Sequence, residues 1–245
     1  VVRSDGTPSY FLSDISYHAE KFEREHDIAI DVWGADHHGH VKRMQAVKGM
    51  LQWKGELKIF IAQLVSLKGE SGITKMSKRA GNVIYLEDLV EELGIDVVRW
   101  FFSEKALTTH MDFDIALAKE QSEKNPVFYV QYAHARACSV EEKTENLSKK
   151  ETQVSELLQE KISRALATHL LSFPDTLRLI TEDYAVHRLT TYVYELANHY
   201  ARFYDNVRVI DGDTYSTGAL ALTKVTKATI AQCLNLLGIS APKKM

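Results

Sequence analysis

Lys75, Ser77 and Lys78 are the residues whose types and spacing most directly suggest chemistry. They lie in Lys75-Met76-Ser77-Lys78-Arg79, which runs on into Ala80-Gly81-Asn82. A segment that alternates like a strand, Leu57 to Leu67, comes before them, followed by the turn Lys68-Gly69-Glu70-Ser71-Gly72. That order predicts an exposed loop. Two lysines flanking a serine suit a loop that closes over a triphosphate, because ammonium groups on long stems can follow a polyanion as its charge shifts. Ordinary solvated basic loops share this spacing, so the motif needs support from its surroundings.

A second cluster is Gly34-Ala35-Asp36-His37-His38-Gly39-His40. It falls where a strand pattern gives way to a helical one, which in an open α/β sheet is a place for a nucleotide. Gly34 lets the backbone approach, and Asp36 can accept from ribose hydroxyls. Two other readings stay open: a metal site built on the histidines, although no further ligand pattern supports one, and a capping Asp36 among solvated histidines. Tyr10 and Asp14 form a third pair. On a helix they share a face, and a carboxylate beside a phenol suits a planar guanidinium, which forks onto carboxylates. A helix-capping Asp14 with a packed Tyr10 is the alternative.

The elements that must position these groups can be read from spacing. Asp5-Gly6-Thr7-Pro8 is a turn, and Tyr10 to Glu25 reads as a surface helix with apolar residues at 11, 15 and 22. Ile28, Ile30 and Val32 alternate with Ala29 and Asp31 up to Gly34, giving a strand. Val41, Met44, Val47 and Leu51 have helical spacing, and Leu57, Ile59 and Ile61 resume the alternation. Strand, helix, strand predicts a βαβ unit with parallel strands. Leu86–Leu93 and Asp96–Lys105 read as helices broken at Gly94, with Asp96 as N-cap. Asn125-Pro126 opens a long helix through Cys138. An acidic and polar stretch, Glu141 to Glu156, then links it to further helices. The longest predicted helix runs from Tyr184 to Val209, with Leu189, Val193, Leu196, Tyr200, Phe203 and Val207 as a buried stripe. The expected fold class is therefore an α/β Rossmann-like half-domain over residues 1–115, followed by an all-α helical bundle over 116–245.

Composition narrows the possibilities. The chain has 245 residues, 45% hydrophobic and 26% charged, with a formal net charge of −3. That balance is ordinary for a globular protein and argues against non-specific electrostatic clamping of nucleic acid, so contacts to RNA would have to come from local patches. The 2 cysteines, Cys138 and Cys233, lie far apart in helical segments. Neither a disulfide framework nor a zinc site is expected, and a cytoplasmic setting is. No apolar run approaches the roughly 18 residues of a membrane span.

Lys75-Met76-Ser77-Lys78-Arg79 resembles the KMSKS loop of class I aminoacyl-tRNA synthetases, with Arg79 in place of the last serine. Val2-Arg3-Ser4-Asp5-Gly6-Thr7, Tyr10, Asp14 and Gly34-Ala35-Asp36-His37-His38-Gly39 look like the bacterial arginyl-tRNA synthetases within that class. Asn125 to Arg136, Tyr200 to Val209 and Leu237 to Met245 resemble the same family's helical anticodon-binding domain. Single-stranded loops are read by splaying bases onto aromatic and arginine planes.

The resemblance implies ATP-dependent activation of L-arginine and its transfer to tRNA(Arg), with Mg2+ accompanying ATP. Lys75 and Lys78 would be catalytic. Gly34, Asp36, His37, His40, Lys75, Met76, Ser77 and Lys78 would bind ATP, and Tyr10 and Asp14 would bind arginine. Tyr129, Tyr132, Arg136, Arg202, Tyr204 and Met245 would bind tRNA, with no resident metal, no membrane contact and a monomeric state. His37-His38-Gly39-His40 matches the spelling of the other class signature, HIGH. It lies too close to Lys75 for that role and is read as coincidence. The chain, which starts at Val1 without a methionine, is accordingly expected to be a fragment lacking the HIGH half and inactive by itself. Another class I synthetase and a non-catalytic tRNA-binding module are the alternative readings.

Overall fold

The computed structural model describes residues 1–69, 72–74 and 85–245. The lysine-loop expectation, Lys75 to Arg79, lies outside the described residues. The chain divides into two compact units, Val1–Ser66 with Leu107–Met111, and Leu67–Ala106 with Asp112–Met245.

In the first unit, Asp5 closes the opening turn by accepting from the Thr7 amide at 2.9 Å and its hydroxyl at 2.6 Å. Helix α1, Tyr10–Glu23, starts where Ser9 caps it. Strand β1, Ile28–Gly34, leads through a 3-10 turn, Ala35–His40, into helix α2, Val41–Met50, and on to strand β2, Glu56–Ala62. β1 and β2 pair in parallel with Ile28 opposite Glu56 and Gly34 opposite Ala62, the expected βαβ unit. The core gathers Phe22, Ala29, Met44, Val47 and Leu57. Trp53 stacks on Phe22 with centroids 4.1 Å apart, covering the end of α1.

Two details of the sequence reading are corrected here. The alternation from Leu57 to Leu67 is not one strand, because β2 ends at Ala62 and β3, Val65–Gly69, begins after a break. In β1 the buried alternates are Ala29 and Asp31, while Ile28, Ile30 and Val32 are exposed. The reason is Asp31, which His18 and Lys21 hold beneath α1.

β3 pairs antiparallel with β4, Gly72–Thr74, in a sheet ordered β4-β3-β5, where β5 is Met111–Asp114. In the second unit, helices α3, Leu86–Leu93, and α4, Ile95–Ser103, meet at Gly94, which takes φ 82°. Gly94 is the cap, not Asp96 as expected. Asp96 sits in the first turn of α4, and its carboxylate is taken by the C-terminal tail. Helix α5, Ile115–Lys119, is capped by Asp114, which also receives Lys68 at 2.9 Å.

Helix α6, Pro126–Thr144, opens at an Asn125 cap with Pro126 in the first turn, as the sequence predicts. Strand β6, Ser148–Lys150, and helices α7, Val154–Leu157, α8, Lys161–Leu171, and α9, Phe173–Asp183, follow. Tyr184 ends α9 in the left-handed conformation at φ 59°, so the next helix, α10, is His187–Asn206 and not Tyr184 to Val209. The predicted stripe is nonetheless buried from Leu189 to Val207. Strands β7, Ile210–Asp211, and β8, Thr214–Ser216, precede helix α11, Thr217–Leu236, which equals α10 in length. The second half is thus helical but not all-helical, because β6, β8 and β7 form a small sheet. Strands of two or three residues are too short to show alternation.

Candidate functional site

Each unit carries one concave site built from expected residues. In the first, a cavity of about 330 Å³ opens where β1 ends, between α1 and the 3-10 turn. Its lining brings together Asp14, Gly34, His37 and His40, and adds Tyr17, His18, Asp31 and Trp33, which the sequence reading did not single out. Parallel strands leave their carboxyl ends open to ligands, which explains the location.

Asp36 does not line this cavity. Its side chain is largely exposed, 3.7 Å from His37 Nε2, and folds back over Gly34, where a Cβ would lie 2.8 Å from Asp36 Oδ1. A side chain at Gly34 would displace only the end of that exposed carboxylate. Tyr10 is also outside the cavity. At the first position of α1 it is 86% exposed, so the phenol on the Asp14 side of the cavity is that of Tyr17.

The floor is a buried polar triad. His18 places Nδ1 2.8 Å from the Asp14 carbonyl and Nε2 2.8 Å from Asp31 Oδ2. Lys21 Nζ lies 2.5 Å from Asp31 Oδ1. The imidazole thus ties the α1 turn that carries Asp14 to β1. One turn of helix separates Asp14, His18 and Lys21, so sequence spacing shows their common face. The partner Asp31 comes from another element. Among the described residues no group of three or more His, Cys, Asp or Glu side chains is arranged to hold a metal ion.

In the second unit, a cleft of about 900 Å³ runs between α6, α10 and the chain end. Arg136 is sandwiched there, its guanidinium carbon 4.7 Å from the Tyr132 ring centroid and 4.8 Å from that of Tyr204. Arg136 Nη2 donates to Tyr132 Oη at 3.2 Å. Burial works against the Arg136 charge, but the Tyr132 hydroxyl and the nearby Tyr204 and Asp205 outweigh it and raise its pKa. Both rings keep exposed area, Tyr132 at 36% and Tyr204 at 40%. Met245 lines the same cleft, as do the cations Lys143, Arg208, Lys243 and Lys244. An aromatic and guanidinium platform lined by four further cations and one carboxylate, Glu142, which pairs with Lys244 at 3.8 Å, suits an unstacked base and its phosphates.

Four of the six expected RNA-contacting residues, Tyr132, Arg136, Tyr204 and Met245, therefore meet in one place, while Tyr129 and Arg202 do not line the cleft. Tyr129 donates to Asn198 Oδ1 at 3.0 Å and packs against Tyr194, and burial raises its pKa. Arg202 is exposed on α10. Lys143, Arg208 and the Lys243-Lys244 pair are the cleft cations that the sequence reading did not place.

Among the described residues no helix is long and apolar enough to cross a membrane. Residues 130–245 match the model of the DALR anticodon binding domain. Along all of its length the chain is 43% identical to the arginine–tRNA ligase of Bacillus subtilis and 39% identical to that of Desulforamulus reducens, covering 45% of each. It also superposes in full, at a TM-score of 0.84 and 31% identity, on 54% of a protein assigned as an arginyl-tRNA synthetase from Campylobacter jejuni. The arginyl-tRNA synthetase of Thermus thermophilus, at 21% identity, TM-score 0.76 and half of that chain covered, shares the fold. Over its full length this chain is similar to a part, somewhat under half, of the arginine–tRNA ligases it matches, and its residues 130–245 match the DALR anticodon binding domain.

Proposed function

We propose that this chain is part of an arginine–tRNA ligase, with residues 1–115 contributing to the catalytic domain and 116–245 binding the anticodon region of tRNA(Arg). The observation that carries this reading is the coincidence of full-length similarity to arginine–tRNA ligases with the Arg136 platform inside the DALR-matching region. In the reaction, the carboxylate of L-arginine attacks the α-phosphate of ATP, forming arginyl-adenylate and releasing pyrophosphate. A terminal ribose hydroxyl of the tRNA then takes the arginyl group and AMP leaves.

The chain supplies positioning and charge. Gly34, His37 and His40 would hold the adenosine at the end of β1, with Asp36 on the ribose. Lys75 and Lys78, with Met76 and Ser77, would meet the phosphates. Asp14, with Tyr10 or the nearer Tyr17, would take the guanidinium. Mg2+ would come with the triphosphate, since such ions are held largely by phosphate oxygens and water. A soluble cytoplasmic monomer fits this role.

The test is aminoacylation by the complete protein with a panel of amino acids, in which arginine alone should be attached. Lys78→Ala should lower kcat by about 100- to 1000-fold, as expected for loss of one transition-state donor, with little change in KM for arginine. An unchanged kcat would remove the loop from the mechanism.

A further inference from the structure

Helix α11 ends in a motif that fixes the direction of everything after it. The Gly238 amide donates to the Asn235 carbonyl at 2.9 Å and the Ile239 amide to Leu234 at 2.8 Å, with Gly238 at φ 68°. A Cβ on Gly238 would meet Arg99 Nη1 at 2.7 Å, so the turn passes close over α4. Leu237 and Ile239 are buried, and the six residues beyond them run out over α6.

Three side chains then hold this tail. Asp96, in the first turn of α4, accepts from the Ser240 amide at 3.1 Å and from the Ser240 hydroxyl. Gln131 on α6 bridges the pair, donating to Asp96 Oδ2 at 2.9 Å and to the Ser240 carbonyl at 3.0 Å. One turn further along α6, His134 donates from Nδ1 to the Pro242 carbonyl at 2.8 Å. Its ring is buried, and burial lowers its pKa, with Lys227 and Lys243 adding to that effect against the Pro242 bond. Gln131 and His134 therefore face the tail from the same helix that presents Tyr132 and Arg136 to the cleft. The tail reaches that cleft with Lys243, Lys244 and Met245.

We propose that Asp96, Gln131 and His134 are positioning residues for RNA recognition: they latch the terminal segment Ser240–Met245 so that it forms one wall of the Arg136 cleft. The inference rests on the reading of that cleft as an RNA site. A free tail would have to be ordered by the RNA at the moment of binding, and a tail held by hydrogen bonds has already met that cost. The latch residues touch only protein and act through the wall they hold.

The test uses the complete protein and a transcript of an arginine-accepting tRNA. Asp96→Ala, Gln131→Ala and removal of residues 240–245 should each weaken tRNA binding about tenfold, the effect of losing a few hydrogen bonds, with KM for arginine and ATP unchanged. Asp96→Ala made in the shortened protein should add nothing, because both changes remove the same wall. An additive loss would show that Asp96 acts through general folding and would overturn the latch, and the same comparison with Gln131→Ala stands if Asp96→Ala does not fold. Wild-type binding by both point variants would overturn it as well. Arg136→Ala separates the two levels: if it too binds normally the RNA cleft has failed and the latch with it, whereas if it alone is impaired only the latch has.

Discussion

The guanidinium of Arg136 lies 4.8 Å from the ring centroid of Tyr204, joining α6 to α10 across the mouth of the basic cleft. Such a contact has a local and a functional side. Locally, a cation over an aromatic face contributes about 0.5–2 kcal/mol. Functionally, it holds a planar cation beside two partly exposed rings, ready for a further flat group.

Arg136→Ala should therefore weaken tRNA binding by about tenfold or more, in line with about 1–3 kcal/mol for loss of one base-stacking group. Arg136→Lys should recover only part of this, since an ammonium keeps the charge but not the plane. Filter binding or fluorescence titration at two salt concentrations checks both. Equal recovery by lysine would mean that the site reads charge alone.

Asp14 is the residue on which the amino-acid assignment turns. Asp14→Asn keeps size and removes the charge proposed to face the guanidinium. Asp14 is exposed in the free protein, and bound arginine would desolvate the pair; losing one partner of such a pair costs roughly 2–5 kcal/mol, so kcat/KM for arginine should fall at least about 30-fold, with KM for ATP nearly constant. Normal arginine kinetics would leave Asp14 without a substrate role. Because Tyr17, not Tyr10, shares the cavity with Asp14, Tyr17→Phe and Tyr10→Phe should be measured beside it.

His18→Ala removes the link between the Asp14 carbonyl and Asp31. Hydrogen bonds to charged groups contribute roughly 1.5–3 kcal/mol, and among the described residues the Asp31 carboxylate would keep the side chain of Lys21. A loss of that size should appear as a lower urea midpoint. An unchanged midpoint would show that the buried carboxylate finds another donor.

Stability should also depend on pH through His134 and His199. Burial lowers both below the ordinary histidine value of 6.5, with His169 and Arg202 adding to the effect at His199. Below 6.5 the unfolded chain takes up protons that the folded chain refuses, so ν_U exceeds ν_N and stability rises with pH through this window. The folded protein should thus lose stability as pH falls from about 7 towards 5. His134→Gln should flatten the slope, measured as the thermal midpoint at each pH. An equally steep slope in that variant would move the effect to other groups.

What the sequence alone determined were features whose signal is local. The βαβ unit follows from a switch between periods two and 3.6 over residues 28 to 62, the start of α6 from Asn125-Pro126, and the α10 stripe from its spacing. The lysine-loop motif is likewise read from contiguous letters, and it lies outside the described residues. The tertiary structure decided which distant residues share a site. Nothing local in Asp31 marks it as the buried face of β1, because that depends on His18 and Lys21 arriving from α1. Tyr10 and Asp14 sit four apart on one helix, but Tyr10 falls at its first turn, where few neighbours cover it, and Tyr17 takes the place by the cavity. The cleft is the fullest case. Residues 132 and 136 come from one helix, 204 from another, and 243–245 from a tail held by Asp96, which the sequence reads as a helix cap. Spacing along a chain fixes which side chains share an element's face, and only packing between elements fixes which faces meet.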